Sequence, residues 1–270
     1  MEWWEALLMG IVQGLTEFLP VSSSGHLMIF RELLGVDPEG FLDFTVTVHF
    51  ATVLSTIVVF WAAIVKILKG VFKFKYNDET DYFLKLCVSM VPVAVVGFCF
   101  KDTVEALFGE GVVMVAVCLL ITAALLCFSD FFRFKPRAGK EYRNGISYWQ
   151  AALVGLGQAC AVAPGLSRSG TTIATGLVCG VKRENMAQFS FLMVLVPILG
   201  EQLLSILDMV GAGAAAAPGV GVLPLLCGFL SAFVSGLLAC KLMVALVKKA
   251  KLRWFALYCA VVAVLLFIFM

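Results

Sequence analysis

Two short polar segments interrupt an otherwise apolar chain, and both carry residue types that bind phosphate groups. The first includes Glu17, the serine run 22–24 and His26. The second, 167–172, reads Ser-Arg-Ser-Gly-Thr-Thr and follows Pro164. Hydroxyls and free backbone N–H groups at a helix N-terminus bind anions, and a guanidinium adds positive charge and paired hydrogen bonds. These residues therefore predict a receptor for a phosphate-like group.

Each polar segment lies at the end of one of two copies of a repeated stretch. The two copies are 145 positions apart and align without a gap. Residues 4–25 and 149–170 share 8 identities in 22 positions, whereas chance matching in so apolar a chain gives about two. The repeated residues are Trp4, Ala6, Leu8, Gly10, Gln13, Ser22, Ser24 and Gly25. The first copy adds Glu17 and His26, and the second adds Arg168 and Thr172. Complementary chemistry on a duplicated scaffold predicts one composite site where the copies meet.

Arg168 and Glu17 place opposite charges in segments that are otherwise apolar. A buried arginine is costly in lipid unless it pairs with an anion or faces water, so the alternative to phosphate binding is a structural ion pair with Glu17. A carboxylate beside a phosphate is repulsive unless a cation or a proton separates them. We therefore expect Mg²⁺ or Ca²⁺ between Glu17 and the phosphate oxygens. Gln13, one helical turn earlier on the same face, is a second candidate ligand.

The chain has two histidines, and the sequence favours different roles for them. His26 follows Ser23 by three residues, a helical spacing that can bring an imidazole near a hydroxyl, so it is a candidate acid or base. The alternative is a hydrogen-bonded helix residue. His49 has no hydroxyl or carboxylate neighbour that suggests catalysis, and we expect it to be structural. Asp43 and Glu201 lie at or within apolar segments without an assigned role.

The composition is that of an integral membrane protein. Of the 270 residues, 61% are hydrophobic and 14% are charged, and the mean hydropathy is +1.01. Spanning a bilayer takes about 20 apolar residues. The segments that could span it are 41–65, 82–100, 112–129, 186–207, 221–247 and 253–270.

Positive charge assigns the sides of the membrane. If the spans alternate, 15 of the 20 Lys and Arg residues fall on one side, which is then cytoplasmic. Segment 146–182 must begin and end on that side, and segment 1–40 on the outer side. Both are therefore predicted to be re-entrant helical hairpins that enter from opposite faces. We expect an all-α protein, one membrane domain over 1–270, with six transmembrane helices and an inverted repeat of halves 1–145 and 146–270.

Several other classes find no support in the sequence. The net charge is +2 and basic residues do not alternate with aromatic ones, which argues against nucleic-acid binding. The nine cysteines are scattered through apolar runs and are expected to pack as small apolar residues. The N-terminus lacks the basic region of a cleavable signal peptide. Nothing in the sequence indicates an oligomeric state.

Gln13–His26 and Pro164–Thr172, taken together, closely resemble the signatures of bacterial undecaprenyl-diphosphate phosphatases, the bacitracin-resistance family. The resemblance covers the whole chain. It implies removal of one phosphate from undecaprenyl diphosphate, which recycles the lipid carrier for peptidoglycan synthesis, with a divalent metal. It also implies a bacterial cytoplasmic membrane location and a site that opens toward the periplasm. The family motif makes these residues important: Gln13, Glu17, Ser22, Ser23, His26, Ser167, Arg168, Ser169 and Thr172. Family members carry Glu or Gln where Gln13 stands, so a mechanism with two carboxylates is in doubt here.

The mechanism expected from these residues is a phosphoryl transfer at the two breaks. Arg168 and the hairpin N–H groups would hold phosphate oxygens, and the metal on Glu17 would neutralise charge on the leaving group. Ser23 is the preferred nucleophile with His26 as its base, and a water activated by His26 or Glu17 is the competitor. The substrate contacts are expected from Ser22, Ser167, Ser169, Gly170 and Thr172. A transporter or flippase of an anionic polyprenyl lipid is the alternative function, since broken helices in inverted repeats are typical of transporters.

Overall fold

In the computed structural model, every regular element of the described residues is helical. The described residues are 1–37, 40–100, 111–132, 134, 142–200, 203, 220–249 and 251–269. The first copy, taken from here on as residues 1–145, contains α1 (Trp3–Phe18), α2 (Ser23–Leu34), α3 (Phe41–Val59), α4 (Trp61–Val71), α5 (Asp78–Cys99), α6 (Gly111–Phe131) and the 3₁₀ turn Arg143–Gly145. The second copy, residues 146–270, contains α7 (Tyr148–Cys160), α8 (Arg168–Val178), α9 (Arg183–Met193), α10 (Val222–Lys249) and α11 (Arg253–Phe269). Helical conformation also occurs at 195–200.

Both predicted breaks are present, and the same serine cap follows each of them. After α1 ends, Ser22 accepts a hydrogen bond from the backbone N–H of Gly25 at 3.3 Å. After α7, Ser167 accepts one from Gly170 N–H at 3.1 Å. A serine at this position satisfies one of the free N–H groups that begin a helix. The duplicated Ser-x-x-Gly pattern therefore starts α2 and α8 in the same way.

Each hairpin packs against the long helix of the other copy. The most extensive contact of α1 is with α10, and that of α7 is with α5, while α6 pairs with α11. Glycines at equivalent positions permit this close approach, because a methyl group at Gly10 would overlap the Gly228 carbonyl oxygen and one at Gly155 would overlap that of Ser89. The two copies are thus intertwined rather than placed side by side.

A buried ion pair fixes the start of the second copy to α5. Lys85 Nζ donates to Asp81 Oδ2 at 2.6 Å, and each residue is 2% exposed. Asp81 also accepts hydrogen bonds from the hydroxyls of Tyr76 and Tyr148 and from the amide of Asn144. A buried charge is tolerated when its hydrogen bonds are satisfied in this way. The sequence analysis did not single out this cluster, whose members lie up to 72 positions apart.

Four of the described helices are long and apolar enough to cross a membrane: Phe41–Val59, Asp78–Cys99, Gly111–Phe131 and Val222–Val247. They coincide with four of the predicted spans, and α11 is a shorter apolar helix at a fifth. The predicted span 41–65 is not one helix, since α3 ends at Val59 and α4 begins after Phe60. The predicted span 186–207 contains a turn at Val194, and several of its last residues lie outside the described part of the chain. The protein is therefore a multi-pass helical membrane protein.

Candidate active site

Glu17 lies where the two hairpin tips meet, and side chains from both copies donate to it. Gln13 Nε2 and Ser23 Oγ donate to Glu17 Oε2 at 2.9 Å and 2.6 Å. Arg168 Nη2 donates to Glu17 Oε1 at 3.0 Å, and the Glu17 side chain is 10% exposed. The last turn of α1, the first turn of α2 and the first turn of α8 supply these groups. The predicted convergence of Glu17, Ser23 and Arg168 is therefore present in the structure.

His49 also faces this carboxylate. Its Nε2 lies 3.7 Å from Glu17 Oε2, and its Nδ1 lies 2.8 Å from the Thr45 carbonyl oxygen. Sequence analysis gave His49 a structural role because its neighbours along the chain lack catalytic groups. The contact arises only when α3 packs against α1. The feature of the sequence that could have indicated a functional role is the histidine itself, because an ionisable residue within an apolar segment is often functional.

His26 is not hydrogen-bonded to Ser23 in the described structure. Its Nδ1 lies 2.7 Å from the Ser22 carbonyl oxygen, and its Nε2 lies 2.8 Å from the hydroxyl of Tyr258. A carbonyl only accepts, so Nδ1 carries a proton, and in a neutral ring Nε2 would accept from the Tyr258 hydroxyl. The two rings are nearly parallel, at 9° with centroids 5.7 Å apart. The sequence did not reveal Tyr258, which lies on α11, 232 positions away.

The remaining predicted substrate contacts surround the hairpin tips. Ser22, Ser167 and Gly170 form the helix caps, while Ser169 Oγ donates to the Leu19 carbonyl oxygen at 3.1 Å. This last bond ties the second tip to the break of the first. Thr172 is fully buried, and its hydroxyl lies 2.6 Å from that of Ser190. The N-termini of α2 and α8 therefore lie close together, and their free N–H groups favour the binding of an anion.

A cavity of about 20 Å³ adjoins Glu17 and Arg168, enough for roughly one water molecule. Hydroxyl-bearing residues and these two charges line its polar part, with Thr52, Thr56, Ser169 and Ser190 as the hydroxyl contributors. Its other wall is apolar and is formed by Phe18, Val53, Phe191, Val194, Leu195 and Ile198. The cavity thus joins an ionic end to a hydrocarbon wall, as a site for an amphiphile requires.

The sequence analysis named two acidic residues at or within apolar segments without assigning them a role. Asp43 is partly exposed near the start of α3, and Glu201 lies outside the described residues. Among the described residues, no group of three or more His, Cys, Asp or Glu side chains is placed to hold a metal ion. Any cation at Glu17 therefore needs ligands of other types, such as amide, hydroxyl or substrate oxygens.

Comparison with known proteins identifies the family. The model of the family described as "Bacitracin resistance protein BacA" matches residues 6–265. The chain belongs to this family. Among curated relatives, the undecaprenyl-diphosphatase of Bacteroides fragilis is 54% identical over 264 residues, 98% of this chain and 97% of the relative. Those of Parabacteroides distasonis and Christiangramia forsetii are 54% and 45% identical, over 97% and 100% of this chain and 96% and 98% of their own lengths.

Proposed function

We propose that this protein hydrolyses undecaprenyl diphosphate to undecaprenyl phosphate and inorganic phosphate. The reaction would recycle the lipid carrier for peptidoglycan synthesis and confer bacitracin resistance. Full-length relatives named undecaprenyl-diphosphatase support this activity. The observation that carries it is the 3.0 Å contact between Arg168 of the second hairpin and Glu17 of the first, because it joins anion-binding and acid–base groups in one site.

The proposed topology is six spans with two re-entrant hairpins, 1–40 and 146–182, that enter from opposite faces of the bacterial cytoplasmic membrane. The reciprocal packing of α1 on α10 and of α7 on α5 supports an inverted repeat. Irregular backbone at membrane depth is tolerated where protein or water surrounds it, which fits breaks that contact each other. With most basic residues in the cytoplasm, the first hairpin opens the site toward the periplasm.

The diphosphate is proposed to bind at the tips, with its lipid tail along the apolar wall. Arg168, the free N–H groups of α2 and α8, and the surrounding hydroxyls would hold phosphate oxygens. In the present arrangement Arg168 pairs with Glu17, so the phosphate competes for the guanidinium when it enters. The 20 Å³ cavity must widen to accept a diphosphate, and the wall of residues 191–198 is the side that faces a hydrocarbon chain.

A divalent cation, Mg²⁺ or Ca²⁺, fits the donor set around Glu17. The Oε1 atom of Gln13 is buried and has no hydrogen-bond partner among the described residues. Glu17 accepts hydrogen bonds from Gln13, Ser23 and Arg168, and a carboxylate has about four acceptor sites, so one site remains for a cation. When bound, such a cation would neutralise charge on the phosphate oxygens.

Metal dependence gives one test of this donor set. The Glu17→Gln variant removes the only carboxylate of the motif and is expected to raise the metal concentration for half-maximal binding at least roughly tenfold. The matched control is Glu32→Gln on α2, whose carboxylate pairs with Arg31 at the surface. Calorimetric metal titrations of the purified proteins measure both variants independently of turnover. An unchanged titration in Glu17→Gln contradicts the metal role of this residue.

The structure favours Glu17 over His26 as the base for Ser23. Ser23 Oγ lies 2.6 Å from Glu17 Oε2, within the reach of proton transfer. In the proposed step, Ser23 Oγ attacks the terminal phosphorus, its proton passes to Glu17, and the phosphoanhydride bond breaks to release undecaprenyl phosphate. Water then attacks the phosphorus of the phosphoserine, inorganic phosphate leaves, and the proton held by Glu17 returns to Ser23 Oγ. The competitor is direct attack by a water that Glu17 activates, and no phosphoserine forms in that case.

The activity test uses purified protein in detergent, where no membrane separates two compartments. The protein is expected to release inorganic phosphate from undecaprenyl diphosphate, and Arg168→Ala is expected to reduce kcat/KM by roughly 10²–10³-fold because it removes charge stabilisation. Absence of phosphate release from folded wild-type protein would overturn hydrolysis and favour lipid transport.

A further inference from the structure

We propose that His49 is a further ligand of the divalent cation at Glu17, and that it makes the site prefer a transition metal such as Mn²⁺ to Ca²⁺. The proposal rests on the metal site of the proposed function and adds a nitrogen ligand to it. It concerns the one histidine that the phosphate-binding motifs do not contain.

The orientation of His49 leaves one ring nitrogen available. Nδ1 lies 2.8 Å from the Thr45 carbonyl oxygen and must donate to it. Nε2 is the ring nitrogen that remains for a second partner, and it faces Glu17 Oε2 at 3.7 Å. That separation exceeds the range of a direct hydrogen bond. The backbone hydrogen bond on Nδ1 thus fixes the ring with Nε2 directed at the carboxylate, as in metal-binding histidines.

The spacing of the facing atoms suits a shared cation. Bonds from imidazole nitrogen or carboxylate oxygen to a first-row metal are about 2.0–2.2 Å, so two ligands of one ion lie at most about 4.4 Å apart. The 3.7 Å between Nε2 and Oε2 falls within this limit. Gln13 belongs to the same group, because its amide contacts Oε2 and its own Oε1 is buried without a partner among the described residues.

The ligand types set the metal preference. Ca²⁺ takes oxygen ligands, and six to eight of them, whereas imidazole nitrogen suits Mn²⁺, Co²⁺ or Zn²⁺ better than Ca²⁺. Glu17, Gln13 and His49 provide one carboxylate, one amide and one imidazole. Substrate phosphate oxygens would complete the coordination, as they do in many phosphoryl-transfer sites.

The competing explanation is a protonated His49 that forms an ion pair with Glu17 and binds no metal. In that case a cation at Glu17 would have only oxygen ligands. The two explanations differ in whether a histidine nitrogen is coupled to a paramagnetic ion in the site, which is a property independent of catalysis.

Pulsed electron paramagnetic resonance of Mn²⁺ tests this directly. The full chain, labelled with ¹⁵N only in histidine, is loaded with Mn²⁺ and methylenediphosphonate, a non-hydrolysable diphosphate. A ¹⁵N coupling is expected in the wild type and in His26→Gln, and its loss is expected in His49→Gln. The chain contains only these two histidines, so each variant controls for the other. No coupling in the wild type, or a coupling that survives in His49→Gln, overturns the proposal.

Metal affinity provides a second readout. His49→Gln is expected to weaken Mn²⁺ binding at least roughly tenfold and to leave Ca²⁺ binding within about twofold, since glutamine still offers an oxygen. Equal losses for both ions would contradict a nitrogen ligand. Phosphate release from the same preparations separates the outcomes, because an active enzyme without histidine coupling retains the proposed function and loses only this inference.

Discussion

At the scale of single residues, the Glu17 carboxylate is the group to which side chains from both copies donate hydrogen bonds. The second copy supplies the guanidinium of Arg168, and the first supplies Gln13 and Ser23. An ion pair between Arg168 and Glu17 was the structural alternative to phosphate binding. The two roles are compatible, because an arginine at membrane depth needs an anion before the substrate arrives as well as after it has bound.

Substitution of Ser23 tests the nucleophile. Ser23→Ala is expected to reduce phosphate release at least roughly 10³-fold, since nothing else in the described site places a hydroxyl 2.6 Å from Glu17. Ser24→Ala is the control, because the Ser24 hydroxyl lies 3.4–3.5 Å from Ser22 Oγ and the Gly165 N–H and, among the described residues, makes no hydrogen bond to Glu17. Acid-quenched mass spectrometry should detect phosphoserine in the wild type. Substantial turnover of Ser23→Ala would instead identify water as the nucleophile.

The sequence could predict the site residues that lie within or next to the duplicated motif. Comparison of the copies was enough to expect that Glu17 and Arg168 meet, since the first copy carries the carboxylate and the second carries the guanidinium. His49 and Tyr258 were beyond such reasoning. His49 contacts Glu17 from α3, and Tyr258 contacts His26 from α11. Both helices lie outside the hairpins, so these contacts depend on how the helices pack.

At the scale of the helices, close approach of backbones determines where the hairpins lie. Proline and the Ser-x-x-Gly pattern predicted where α1 and α7 end and where α2 and α8 begin. The break between α3 and α4 at Phe60 was not predictable from composition, because no Pro or Gly marks it. In a uniformly apolar run the hydrophobic periodicity does not change at such a turn, so the sequence does not indicate where the turn lies.

Gly155 tests the close packing of α7 on α5. Gly155→Ala places a methyl group against the Ser89 carbonyl oxygen, and such overpacking typically costs about 1–3 kcal/mol. The control is Gly97→Ala on α5, where an added methyl group meets no atom within 4 Å and alanine favours the helix. Thermal unfolding in detergent should show a lower Tm for Gly155→Ala alone. Equal Tm values for the two variants would contradict the close contact.

At the scale of the whole molecule, neither half contains a complete site or a complete packing surface. The preferred packing partner of α1 is α10, that of α7 is α5, and the carboxylate and the guanidinium come from different halves. The helical membrane architecture could be predicted from hydropathy and charge. The intertwined arrangement could not, because a repeat in sequence does not show which copy each hairpin packs against.

This arrangement predicts the behaviour of a chain divided at the repeat boundary. Fragments 1–145 and 146–270, expressed separately, are expected to show no phosphate release above background, since each hairpin then lacks the long helix on which it packs. Co-expression in one membrane is expected to restore activity, and restoration should fail when the second fragment carries Arg168→Ala. Phosphate release from isolated membranes measures all three. Activity of either fragment alone would show that one copy suffices for catalysis, and the composite site would then be wrong.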